Sequence, residues 1–483
     1  MTHGQATVIQ FNNVTVTYRS RKQAILNGFS LAVNQGEFVL LTGRSGCGKT
    51  TVTRLINGLI PNFFDTVVTG DVFVGGLDIK KVSLRELTRK VGSVFQDPRS
   101  QFFTLHTLSE LAFASENLGL PGPVIRAQIQ KTIQNLNMAA IGEKSLFALS
   151  SGEKQKVAIA SVYTLEPEIY VLDEPLANLD EKGVAQLLAT LKTLKAEGHT
   201  VIIAEHRLAY LQDLADRVIL MADSQKKGDF TGEDFFAKPA CWFREQGLRH
   251  FDGAVPRLAA AAGQNRKGQD PLLEAQQLAF GYTRGQPVWE NLSFCAYAGE
   301  ITGIMGENGT GKSTLLRVLM GLEKQTRGEI RIAGKPAGAG RRIQQSFYVM
   351  QDVDYQLFAP SVWEELLLGC PASPEIEDKA GEYLRFFQLE AYQQVHPAAL
   401  SGGQKQRLAI ALACMRDARL LFFDEPTSGL DGASMEKVSR LLRQLAQAGR
   451  CIFVISHDRE FASNTFDRVL YLKADGRLIE RGE

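Results

Sequence analysis

Apolar residues in this chain gather in short, unbroken runs. Phe38-Val39-Leu40-Leu41, Ile169-Tyr170-Val171-Leu172 and Val201 to Ala204 are three of them, and Leu420-Leu421-Phe422-Phe423 and Ile452 to Ile455 are two more. Such runs predict strands buried on both faces, as in a parallel sheet covered by helices. Thr51 to Leu59 reads as a helix, as do the stretches that follow Glu153 and Gln404. The fold class is therefore α/β, with a mostly parallel sheet. No apolar run approaches the roughly 18 residues that cross a bilayer, and the N-terminus carries no apolar signal segment.

One strand–turn–helix passage organises the rest. Gly43-Arg44-Ser45-Gly46-Cys47-Gly48-Lys49-Thr50 follows the run Phe38 to Leu41 and precedes the helix, the context of a phosphate-binding loop. Gly43, Gly46 and Gly48 let backbone approach the phosphates, and the helix N-terminus favours the anion. Lys49 supplies a point charge to the β- and γ-phosphates, Thr50 a hydroxyl for Mg²⁺, and Thr51 follows it into the helix. The passage recurs 263 residues on as Gly306-Glu307-Asn308-Gly309-Thr310-Gly311-Lys312-Ser313, followed by Thr314.

The recurrence extends along both halves. Tyr18 pairs with Tyr282, Gln96 with Gln351, Ser150 with Ser401, Asp173 with Asp424, Glu174 with Glu425 and His206 with His457, always in one order. The spacing tightens in the second half, and Pro61 to Thr69 makes the first half longer. The chain divides into a first domain at 1–234, a linker at 235–271 and a second domain at 272–483. Ala259 to Gly268 reads as exposed linker, whereas Cys241-Trp242-Phe243 is apolar enough to pack against the first domain.

Composition narrows the function classes. The 483 residues suit two cores, and 54 basic against 53 acidic residues gives no basic excess for nucleic acid. Six scattered cysteines without a C-x-x-C pair speak against zinc or iron–sulfur sites.

Asp173-Glu174 and Asp424-Glu425 close apolar strands, where ligands of parallel sheets gather. Asp173 and Asp424 suit a Mg²⁺ shell; Glu174 and Glu425 suit a general base for an attacking water. Ser150-Ser151-Gly152 and Ser401-Gly402-Gly403 begin helices, which serve equally as plain caps or as anion sites. His206 and His457 follow strands and are candidate γ-phosphate contacts. Tyr18 and Tyr282 are candidates to stack on adenine and equally candidates for the core.

In combination these motifs resemble the ATP-binding cassette (ABC) ATPases. The resemblance rests on the phosphate loop, the glutamine, Leu400-Ser401-Gly402-Gly403-Gln404, the Asp-Glu strand, Asn178-Leu179-Asp180 or Gly429-Leu430-Asp431, and the histidine, in both halves. It implies two P-loop NTPase domains, each with a mostly parallel sheet core and a helical subdomain, that bind ATP and Mg²⁺ and form an intramolecular pseudo-dimer. It implies that Gln96 and Gln351 serve both nucleotide and metal. One site would then join Lys49, Thr50, Gln96, Asp173, Glu174 and His206 to Ser401, Gly402 and Gly403. The other would join Lys312, Ser313, Gln351, Asp424, Glu425 and His457 to Ser150 and Gly152. Ser151 and Glu153 depart from the family's Gly and Gln, so crowding and repulsion are expected to weaken the second of these sites.

Gln96-Asp97-Pro98-Arg99-Ser100-Gln101-Phe102-Phe103 and Gln351-Asp352-Val353-Asp354-Tyr355-Gln356-Leu357-Phe358 share a finer pattern. It resembles the energy-coupling factor (ECF) group of vitamin and metal-ion importers. That implies a transmembrane coupling subunit and a substrate-binding membrane subunit as partners, no nucleic acid, and a peripheral place on the cytoplasmic face of the cell membrane. The rivals are a tandem cassette ATPase acting on ribosomes, whose long charged linker is not matched here, and the tandem ATPase of sugar importers, whose post-glutamine segment differs.

Overall fold

The computed structural model describes residues 6–19, 23–177, 179–250, 269–283 and 285–481. The linker stretch 259–268 and Asn178 lie outside the described residues. The chain separates into two compact units, one built mainly on residues 1–252 and the other on 253–483.

In the first unit the apolar runs become neighbours in one six-stranded sheet. Its order is Gln225–Thr231, Arg217–Ala222, Phe38–Gly43, Thr200–Ala204, Ile169–Asp173 and Val91–Val94. All pairings are parallel except the outermost, between Gln225–Thr231 and Arg217–Ala222. Phe38 to Leu41 and Val201 to Ala204 have no exposed surface, as expected of strands covered on both faces. A separate antiparallel sheet carries Thr7–Tyr18 between Leu26–Asn34 and Thr66–Val74. Pro61 to Thr69, which lengthens this half, supplies the start of Thr66–Val74.

The second unit repeats the plan. Its six-stranded sheet runs Ser346–Val349, Leu420–Asp424, Cys451–Ile455, Ile301–Met305, Arg468–Leu472 and Leu478–Arg481. The antiparallel sheet is built from Leu273–Phe280, Trp289–Ala296, Arg327–Ile332 and Lys335–Pro336. In each unit helices pack beside the sheet. They are Thr107–Asn117, Gly122–Asn135 and Ser151–Tyr163 in the first, and Val362–Leu367, Pro374–Phe386 and Gly402–Met415 in the second.

The segment expected to begin a linker at 235 is structured. Helices Gly232–Phe236 and Ala240–Gln246 bury Phe235 and Phe243 in the first unit's core, with Trp242 edge-on to both. The first domain therefore continues at least to 250. Three aromatic side chains bury more apolar surface by docking than a linker could leave in water.

Candidate functional site

Both phosphate loops sit where a sheet strand turns into a helix. Phe38–Gly43 leads into Lys49–Ile56, and Ile301–Met305 into Lys312–Met320. Gly43 and Gly306 have φ of 148° and 145°. A Cβ on Gly43 would lie 2.1 Å from the Met221 carbonyl oxygen, and one on Gly306 2.2 Å from that of Leu472. Only glycine fits against the neighbouring strand. Gly46 and Gly309 also have left-handed backbone, and Gly48 and Gly311 are left-handed N-caps.

The lysines fold back over their own loops. Lys49 Nζ donates to the carbonyls of Gly43 (3.0 Å) and Arg44 (3.2 Å), and Lys312 Nζ to those of Gly306 (2.8 Å) and Glu307 (2.7 Å). Each ammonium is thereby held inside the ring of backbone that the loop forms.

Beside each loop lies the carboxylate pair. Thr50 Oγ1 is 3.3 Å from Asp173 Oδ1, and Ser313 hydrogen-bonds Asp424. The described residues contain no cluster of three or more His, Cys, Asp or Glu that could cage a metal. A hydroxyl with one carboxylate is instead the hard-oxygen pair that suits magnesium, which keeps waters and takes phosphate oxygens besides. The residues present fit that ion.

The glutamates have an unusual backbone. Glu174 has φ 46° and Glu425 φ 51°, a conformation that costs a non-glycine residue free energy. Each is held there by its own N–H, which donates to Ala204 O (2.8 Å) or Ile455 O (3.0 Å) on the adjacent strand. Burial, then the Glu205 charge, push the Glu174 carboxyl up to about 8. Burial and Asp424 push Glu425 in the same direction. His206 Nε2 lies 3.5 Å from Glu174 and His457 Nε2 3.6 Å from Glu425. Burial keeps His206 neutral by driving its pKa well below the usual histidine value.

The two halves then diverge. Gln96 and Gln351 are both exposed, but Gln96 Nε2 donates to Glu174 Oε2 at 3.0 Å and Gln351 makes no such bond to Glu425. His457 is also 2.9 Å from Asn308 of its phosphate loop. Tyr18 is half-buried, accepts from Arg54 at 3.2 Å and meets Phe64 edge-on. Tyr282 is 62 % exposed, edge-on to Phe280, with its hydroxyl 2.9 Å from Thr314. Thr51 is buried. Both tyrosines therefore have a hydroxyl partner and an edge-on ring, and Tyr282 is the more exposed of the two.

Ser150 and Ser401 each cap a helix through a reciprocal capping box with Glu153 or Gln404. Glu153 accepts from Ser150 N at 2.8 Å, as Gln404 does from Ser401 N at 2.8 Å, and it pairs with Lys144 at 3.2 Å. The repulsion expected of Glu153 is therefore partly offset, and its carboxylate substitutes for the amide in the cap. A Cβ on Gly402, the position matching Ser151, would meet nothing within 4 Å. A Cβ on Gly403 would meet only Leu430 Cδ2, at 3.9 Å, but Gly152 is packed: a Cβ there would be 2.6 Å from Gly183 Cα.

Sequence reasoning missed a second pair of carboxylates. Glu110 Oε2 accepts from Phe103 N, Thr104 N and Thr104 Oγ1, and Glu365 Oε2 accepts from Phe358 N and Ala359 N. Gln101 and Gln356 tie the same segments back to the sheet through Phe95 and Ser93, and through Met350 and Tyr348. These residues stand at one common offset of 255, the offset of Gln96 and Gln351, and that spacing was the available signal.

The ABC transporter family model matches residues 26–177 and 289–428, one segment in each unit and together more than half of the chain. The chain belongs to the ABC transporter family. Its two cassettes are ABC ATPase domains, which bind and hydrolyse ATP. A protein of Treponema denticola described as "Putative ABC transporter ATP-binding protein" is 39 % identical over 98 % of this chain and 96 % of its own length. A Bacillus subtilis protein described as "Putative HMP/thiamine import ATP-binding protein YkoD" is 31 % identical over 98 % of this chain and 91 % of its own. Among solved structures, a complex of an archaeal ribosome recycling factor contains a similar fold, with TM-score 0.63 and 22 % identity over 95 % of this chain and 87 % of that one. That likeness concerns the fold alone.

Proposed function

We propose that this ABC ATPase is the energy-coupling subunit of an importer of the ECF type, peripheral on the cytoplasmic membrane face. Its partners would be a transmembrane coupling subunit and a membrane subunit that selects the solute. The observation that carries this reading is the post-glutamine segment. In both halves a buried glutamate and a glutamine clamp it, and each clamped segment presents an exposed aromatic, Phe103 (72 % exposed) and Phe358 (74 %). Large aromatics held outward on rigid backbone are typical anchors for a partner. Gln96 joins the first of these segments to Glu174, so a change at the γ-phosphate has a direct route to the anchor. The import role in the description of the Bacillus subtilis relative supports the same reading.

Chemically, Lys49 and Lys312 would release their loop carbonyls to bind phosphate. Thr50 with Asp173, and Ser313 with Asp424, would hold magnesium, which would neutralise phosphate charge. Glu174 and Glu425 would orient the water and take its proton, with His206 and His457 holding them in place.

Affinity capture of the tagged chain from detergent-solubilised membranes tests the partner. Recovery of small hydrophobic subunits, lost on Phe103→Ala plus Phe358→Ala, is expected. Recovery of ribosomes in their place would overturn the reading.

A further inference from the structure

The cassettes differ at one buried position beside the metal-side carboxylate. Tyr348 lies in strand Ser346–Val349, in register with Phe422 of the strand that ends at Asp424. Its phenol is buried and donates to Asp424 Oδ2 at 2.9 Å. Arg317, on the helix after the phosphate loop, lies against the same phenol.

The corresponding position in the first cassette is Ser93, in register with Val171. Its short hydroxyl cannot span what a phenol spans, and Asp173 has no hydrogen bond from it; the side-chain donor at Asp173 is Thr50. Arg54, the counterpart of Arg317, turns the other way. It donates to Tyr18 and lies 4.2 Å over the Phe64 ring. The same helical arginine thus supports the carboxylate end of one site and the aromatic end of the other.

We propose that Tyr348 is a positioning residue that presets the Asp424 carboxylate for magnesium. The second phosphate loop then binds its metal–nucleotide with less magnesium than the first. The inference rests on Asp424 belonging to the metal shell. Its physical basis is that a charge-assisted hydrogen bond fixes one carboxylate rotamer before the ion arrives, so binding need not pay for that order.

The test uses the full-length chain with nucleotide binding confined to one loop, by Lys49→Ala or by Lys312→Ala. Binding of a fluorescent ATP analogue is followed while magnesium is titrated, with manganese paramagnetic resonance as an independent measure of bound metal. In the Lys49→Ala chain, Tyr348→Phe should raise the half-saturating magnesium by about 10-fold, the usual scale for losing an outer-shell partner. Affinity in EDTA should not change. The Lys312→Ala chain should need more magnesium than the Lys49→Ala chain, a comparison that stands even if the Phe variant folds poorly. An unchanged requirement on Tyr348→Phe, or equal requirements in the two single-loop chains, overturns the proposal. Asp424→Asn separates the causes. If it raises the requirement and Tyr348→Phe does not, only the tyrosine's role falls. If neither does, the metal assignment of Asp424 falls with it.

Discussion

At the scale of the residue, Glu174 and Glu425 show why chemistry and strain coincide. Each sits in a left-handed conformation next to a proline, held by one backbone hydrogen bond to the adjacent strand. Burial raises both carboxyls, so each is a poor base until it ionises. Between the ordinary glutamate value and about 8, the folded form binds more protons than the unfolded one. Stability contributed by a protonated Glu174 is therefore lost as pH rises through that window, while its capacity as a base increases. Turnover at subsaturating ATP should climb as pH approaches about 8, and a flat profile from pH 6 to 9 would contradict Glu174 as the base. Glu174→Gln with Glu425→Gln should lower phosphate release by about 10²–10⁴-fold and leave nucleotide binding intact. The two single variants should leave unequal residual rates, because Gln96 bonds its glutamate and Gln351 does not. The pairs Asp-Glu, Lys-Thr and Lys-Ser were legible in sequence because the motif is contiguous. The partners that tune them were not: Glu205 and Tyr348 act across strands that become neighbours only on folding.

At the scale of the element, strands read well and boundaries less so. Phe38–Gly43 and Leu420–Asp424 were visible as unbroken apolar runs, since burial on both faces leaves no polar position. Helix Ala240–Gln246 was hidden because it is short and has no counterpart in the second half. Its apolar triplet at 241–243 indicated docking, and the core contacts of Phe243 make it part of the domain. Phe243→Ala should destabilise the first cassette by about 3–5 kcal/mol, as for other large-to-small changes in a core. Chemical denaturation monitored in the isolated transition of that cassette measures it, and a loss below 1 kcal/mol would return the helix to the linker.

At the scale of the whole molecule, the duplication gives two phosphate loops that single substitutions silence separately. Lys49→Ala and Lys312→Ala should each remove nucleotide binding at one loop, so a fluorescent ATP analogue should bind at about half the stoichiometry of the unaltered chain. Full stoichiometry in either variant would show that its lysine does not hold the phosphate. The sequence by itself determined the duplicated α/β plan, the two phosphate loops, the carboxylates and their order, because these depend on local spacing and on apolar runs along the chain. Only the tertiary structure decided which side chains hold them: Tyr348 on Asp424, Glu110 on the Phe103 segment, and Phe243 in the first core. The physical reason is that a hydrogen bond or a packed ring depends on which distant strands and helices become neighbours, and no spacing within one motif specifies that.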